Sequence, residues 1–150
     1  MKAGWVQARL GGIVGAFCEE HKLGWVFIKG GYTCFLDDPN RMRRPDISFI
    51  HRGRLPGEKL PKGYVSLAPD LAVEIVSHHD VLYDVDRRVQ EYLQAGVRRV
   101  WVVNPDTCTI RIHRPNPDGT ILELREDGEL TGDDVLPNFR VPLCRIFPPK

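Results

Sequence analysis

The segment Leu71-Ala72-Val73-Glu74-Ile75-Val76 constrains the fold more than any other part of the chain. It is apolar at every position except one and lacks period-two alternation. That is the pattern of a central strand covered on both faces, so the chain must build a sheet with packing layers on each side. Glu74 then has to lie inside the molecule. An ionised carboxylate is costly there unless a cation, an arginine or a hydrogen-bond network compensates it. A plain internal salt bridge and a bound metal ion both meet that requirement.

The flanking sequence supplies the layers. Val6, Leu10, Ile13, Val14 and Phe17 recur at helical spacing from about Gly4 to His21, with Gly24 as a stop. Gly11, Gly12 and Gly15 weaken that helix, which predicts close packing against a sheet. The chain begins almost inside this helix, and a native N-terminal segment is therefore expected to be missing. Trp25–Ile28 and Tyr32–Leu36 are strand-like runs around Gly30-Gly31, and Ile47–Ile50 is a third, opened by Pro45-Asp46. Leu82, Val85, Val89, Tyr92 and Leu93 mark a second helix over Val81–Ala95, with Asp80 as N-cap and Gly96 as C-cap. Arg99–Val103 is another apolar strand. Thr109–Arg114 and Thr120–Leu124 alternate as a hairpin turning at Pro117-Asp118-Gly119. Trp5, Trp25 and Trp101 sit in apolar runs and are expected in the core. The order predicts a mixed α/β sandwich with one main sheet, in a single domain of 150 residues.

Alternation selects the partners of Glu74. Ala72, Glu74 and Val76 share one face of their strand, and Asp46, Ser48 and Ile50 share one face of theirs. If the two strands pair, adjacent strands lie only ~4.8 Å apart and Asp46 and Glu74 converge on one point. Asp70 lies on Glu74's face but about 13 Å along the strand, too far for a shared ion, and is expected to close the strand's other end. Two carboxylates plus a backbone carbonyl suit a hard cation such as Mg²⁺ or Mn²⁺. Such an ion can activate water and neutralise charge on a phosphoryl group.

Charge and cysteine patterns narrow the alternatives. The net charge of +1 gives no global reason to bind nucleic acid. Residues 41–62 are locally basic, however, with seven Lys or Arg against two acids. Within that stretch Arg41, Arg43, Arg44 and Arg52 are the candidate nucleic-acid contacts. The acidic stretch 118–134 reads as solvated loop. Cys18, Cys34, Cys108 and Cys144 are widely spaced without a CxxC pair, which leaves zinc-ribbon and thioredoxin-type sites unsupported. His78-His79 follows the central strand as loop histidines, and Gly30-Gly31 lacks the lysine and helix of a phosphate loop. No apolar run approaches the ~20 residues of a membrane span, and no basic-then-apolar leader is present. A cytoplasmic protein with no membrane partner is expected.

The stretches Arg44-Pro45-Asp46-Ile47, Pro69–Ser77, Glu91–Val97, Val100–Pro105 and Leu130–Phe139 resemble, in order and spacing, the Uma-two family of restriction-endonuclease-like proteins in the PD-(D/E)XK superfamily. The resemblance covers nearly the whole chain. It implies a restriction-endonuclease-like mixed β-sheet flanked by helices (α/β or α+β), and a metal-dependent endonuclease hydrolysing DNA. Asp46 matches the motif aspartate and Glu74 the motif glutamate, with the backbone carbonyl of Ile75 as third ligand to Mg²⁺ or Mn²⁺. The lysine of the usual motif would fall at Val76. Relatives often move it to the following helix, four residues before the tyrosine matching Tyr92, where this chain has Arg88. No lysine occurs between Lys62 and Lys150. Arg88 cannot act as a base, yet it can hold a phosphate oxygen or stabilise developing charge, so the expected catalytic set is Asp46, Glu74 and Arg88. Pairing of Arg88 with Asp84 along the helix is the plain structural alternative. The functional alternative is a catalytically degenerate nuclease-fold protein that binds nucleic acid or acts through dimerisation. The resemblance also implies a homodimer.

Overall fold

The computed structural model describes residues 1–115 and 120–150. Helix α1 (Lys2–Glu20) leads into β1 (Gly24–Ile28) and β2 (Ile47–His51), followed by the central β3 (Leu71–Ile75). Helix α2 (Leu82–Ala95) crosses to β4 (Arg99–Asn104), then β5 (Thr109–His113) and β6 (Ile121–Leu124). These six strands form one sheet in sequence order. All neighbours are antiparallel except β3 and β4, which the α2 crossover makes parallel. A separate ribbon pairs β7 (Glu129–Thr131) with β8 (Arg140–Pro142).

Two cores flank the sheet, as the unbroken apolar run of β3 requires. On one face Ile47, Phe49, Leu71, Val73, Ile75 and Trp101 pack against Val6, Leu10 and Val14 of α1 and against the C-terminal Leu130, Leu136 and Phe139. On the other, Ile50, Ala72 and Val100 pack against Val89 and Tyr92 of α2, closed by Tyr32 and Phe35. Strand β3 thus lies between a core that includes α1 and a core that includes α2.

Several expectations from sequence are met and several are not. Gly96 ends α2 in the left-handed conformation, φ 105°. At Gly11 an added Cβ would stand 2.8 Å from the Ile28 side chain, so this glycine does permit close approach to the sheet. Gly12 and Gly15 face open space and have no such role. Tyr32–Leu36 is not a strand. Only Tyr32 bridges, antiparallel to Arg43 and parallel to Val65, so its backbone is divided between two segments and no ladder extends. Asp80 does not cap α2; its carboxylate instead accepts the Ser77 N–H at 2.8 Å and closes the preceding turn. Trp101 is buried, whereas Trp5 is 43% exposed on the outer side of α1 beside Arg9. The Pro117-Asp118-Gly119 turn lies outside the described residues. Asp133 and Asp134 are not merely solvated, since they pair with Arg98, Arg99 and Arg114. Among the described residues no helix is long and apolar enough to cross a membrane.

Candidate active site

The register of the sheet builds the site. Strand β2 pairs with β3 so that Ile47 faces Val73, and one step further Asp46 stands opposite Glu74. Strand β1 pairs with β2 so that Ile28 faces Ile47, and one step further Lys29 stands opposite Asp46. The Lys29 N–H donates to the Asp46 carbonyl at 3.1 Å, which extends that pairing. Lys29, Asp46 and Glu74 therefore form a row across three neighbouring strands, on the side of the sheet that α2 covers.

Asp46 and Glu74 are both 7% exposed. Asp46 Oδ2 accepts the Ile75 N–H at 2.7 Å, which ties the carboxylate to the end of β3. Its Oδ1 pairs with the Lys29 ammonium. Glu74 Oε1 accepts the Tyr92 hydroxyl at 2.6 Å and lies 3.5 Å from Arg88 Nε. Arg88 and Tyr92 are one helical turn apart on α2, so both reach the same oxygen. Asp84, the alternative partner for Arg88, pairs with Arg87 instead, while the second arm of Arg88 lies 3.8 Å from Asp80. Asp70, as the strand spacing requires, sits at the far end of β2 and β3, where it accepts the His51 N–H and pairs with Arg54.

Burial dominates the electrostatics of Glu74. It pushes the carboxyl above the usual glutamate range, and the Asp46 charge adds to that. The Tyr92 hydrogen bond, Arg88 and Lys29 pull the other way without prevailing. Burial and the Glu74 charge together raise the Tyr92 hydroxyl far above its ordinary value, so Tyr92 serves as a fixed donor.

Asp46, Glu74, Ile75, Arg88, Tyr92, Lys29 and Arg44 line one open cavity of about 410 Å³, with Ala3, Gly4 and Gln7 of α1 on its wall. Of the four arginines expected to touch nucleic acid, only Arg44 lines it; its guanidinium donates to the Lys29 carbonyl at 3.2 Å and stacks on Tyr64. Arg41 and Arg43 are committed elsewhere. Both grip the buried Glu91, Arg41 Nε at 2.7 Å and Arg43 through two bonds at 2.9 and 3.0 Å. Arg52 follows the opposite end of β2, roughly 20 Å along the strand from Asp46. Lys29 is the functional candidate that sequence reasoning missed. The motif spacing and the second helix point away from it, whereas counting outward from the paired strand runs leads to it.

The donors present fit a hard cation. Among the described residues, His, Cys, Asp and Glu side chains nowhere gather in threes around a possible metal position. Two carboxylates with a nearby carbonyl therefore suit an ion that keeps several of its own waters, which is the habit of Mg²⁺. His78 and His79 are exposed, with their rings 4.0 Å apart, and stand outside this donor set.

Residues 2–144 match the Uma2 family, described as "Putative restriction endonuclease". Curated proteins provide no match. Among solved structures, a putative nuclease belonging to DUF820 from Anabaena variabilis superposes with a TM-score of 0.82 at 20% identity, covering 98% of this chain and 80% of that one. At that identity the likeness concerns the fold.

Proposed function

This chain belongs to the Uma2 family, and from that premise we propose that it is a cytoplasmic, metal-dependent endonuclease that hydrolyses DNA phosphodiester bonds. The observation that carries the reading is the Asp46–Glu74 pair, brought together from neighbouring strands in a solvent-open cavity lined by arginines. Asp46, Glu74 and the Ile75 carbonyl would hold the cation, Mg²⁺ or Mn²⁺. When bound, it supplies charge neutralisation on the phosphate and makes water a better nucleophile at neutral pH. The protein's own groups do the rest. The Ile75 N–H fixes the Asp46 carboxylate, and the Tyr92 hydroxyl fixes Glu74. Arg88 and Arg44 offer guanidinium donors to non-bridging phosphate oxygens, where they orient the scissile group and stabilise its developing negative charge.

The test is cleavage of plasmid and linear duplex DNA by the purified chain, with and without Mg²⁺ or Mn²⁺. Cation-dependent cleavage that Glu74→Ala removes is the expected result. Failure of the wild type on every nucleic acid with either metal overturns it. Arg88→Ala is expected to lower the cleavage rate by about a hundredfold, with a smaller effect on DNA affinity, because the guanidinium acts mainly on charge that develops during reaction. Equal losses in rate and affinity would instead make Arg88 a simple binding residue.

A second reading, a nuclease fold that binds DNA or dimerises without cutting it, is favoured by arginine at the helix position where relatives carry lysine. It predicts DNA binding with no cleavage in any metal. The homodimer implied by the family would use the sheet edge, where Ile121 and Leu122 of β6 are half-exposed. Sedimentation velocity reads it directly.

A further inference from the structure

Lys29 sits on the Asp46 oxygen that is clear of main-chain donors. Asp46 Oδ2 already accepts the Ile75 N–H, and Oδ1 pairs with the Lys29 ammonium. The cavity is already balanced, with Lys29, Arg44 and Arg88 facing Asp46, Glu74 and Asp80. A divalent ion arriving at Asp46 would meet a positive charge within a few ångströms, and that repulsion is strong in a partly buried site. Something must move.

Only one of the three cations is free to do so. Arg44 is held by the Lys29 carbonyl and the Tyr64 ring, and Arg88 by Glu74 and Asp80. The Lys29 side chain is 56% exposed on a flexible four-carbon stem. Its backbone, in contrast, is fixed at the end of β1, with φ 57° and its N–H bonded to the Asp46 carbonyl. The ammonium can leave Asp46 but stays tethered at the cavity mouth.

Building on the metal-dependent reading above, we propose that Lys29 is the resident counter-ion of Asp46 in the metal-free protein and, once displaced by a divalent cation, becomes a phosphate contact for the nucleic acid. Lys29 thereby serves in the role of cation that the second half of the sequence lacks, but from the other side of the site. Its charge suffices for this. A compact ammonium is a good point contact for a phosphate oxygen.

Calorimetric titration of the whole chain with MnCl₂ tests the first half, comparing wild type with Lys29→Met and Lys29→Arg. Removing the competing charge is expected to tighten Mn²⁺ binding by about tenfold, the effect of roughly 1.4 kcal/mol. Lys29→Arg, which keeps the charge, is expected to stay near wild type. For the second half, binding of a fluorescent DNA duplex is followed against salt concentration, with Ca²⁺ in place of Mg²⁺. The log–log slope is expected to fall by about one for Lys29→Met. Binding of Mn²⁺ only after Lys29→Met substitution overturns the displacement step, because the native ammonium then never yields Asp46 to the ion. Equal Mn²⁺ affinity in wild type and Lys29→Met overturns the inference and leaves the metal site standing. No Mn²⁺ binding by any variant, read both as heat and as loss of the free-ion signal in electron paramagnetic resonance, overturns both. Tighter Mn²⁺ binding with an unchanged DNA slope overturns the phosphate contact.

Discussion

Replacing Glu74 with glutamine is expected to abolish cation-dependent cleavage and, at the same time, to make the fold more stable. The loss of cleavage should exceed the roughly 10–100-fold typical when a residue that merely orients a metal ligand is changed, because on the proposed reading a ligand itself is neutralised. The gain in stability follows from burial. Glu74 lies among Ala72, Val73 and Ile75, and its carboxyl is pushed above the usual range mainly by loss of water. An acid whose pKa is raised on folding keeps its proton in the native state at pH values where the unfolded chain has released it. Wild-type stability therefore falls as pH rises from the unfolded value toward the folded one, and the full penalty applies above the latter. Glutamine carries no such penalty and its carbonyl can still accept the Tyr92 hydroxyl, although Arg88 loses a charged partner. A net gain of about 1 kcal/mol at about pH 8 would raise Tm by roughly 2–4 °C for a domain of this size. The gain should shrink toward zero below about pH 4, where both states of the wild type are protonated. A Glu74→Gln protein that melts below wild type at about pH 8 would show that the ion pair with Arg88 outweighs burial.

Glu91→Ala is expected to cost about 3–5 kcal/mol, and Tm on the order of 10 °C. Glu91 is 8% exposed and receives both Arg41 and Arg43. Its removal leaves the partly buried Arg43 without a carboxylate and Arg41 with only the exposed Asp37, and an ion pair broken in this way is damaging. The pair also fastens the segment before β2 onto α2, since Arg43 bridges to Tyr32 and Arg41 stacks on Phe35. Urea unfolding followed by circular dichroism measures the effect. A loss under about 1 kcal/mol would mean that Glu91 is a surface pair and that the two arginines are available to DNA after all.

The contrast between Glu74 and Glu91 explains what was legible in the sequence. Glu74 stands out because it interrupts an apolar strand, and a period of two is enough to place it on a face with Asp46. Glu91 is inconspicuous in sequence because on a helix an acid every few residues is ordinary, and only the fold reveals that Arg41 and Arg43 reach it. The basic stretch 41–62 was therefore readable as charge but not as partnership. Lys29 was hidden for a related reason. Its role follows from the register between β1 and β2, and register depends on pairing partners that local pattern does not name. The strand run at Tyr32–Leu36 misled because β-forming side chains there fill a core without joining a ladder. The β7–β8 ribbon is too short for any periodicity to register.

One consequence of the row Lys29–Asp46–Glu74 concerns heat rather than chemistry. Asp46 stands one step outside the ladders that β2 forms with β1 and β3, at an end where pairing opens first. Its carboxylate is held by one main-chain donor, at Ile75, and by the half-exposed Lys29 ammonium. The proposed metal position can thus come apart by fraying while Trp101, Val73 and Leu71 remain packed beneath it. On a warming ramp the protein would lose its competence several degrees before it loses its shape, as an instrument drifts out of tune before a string breaks.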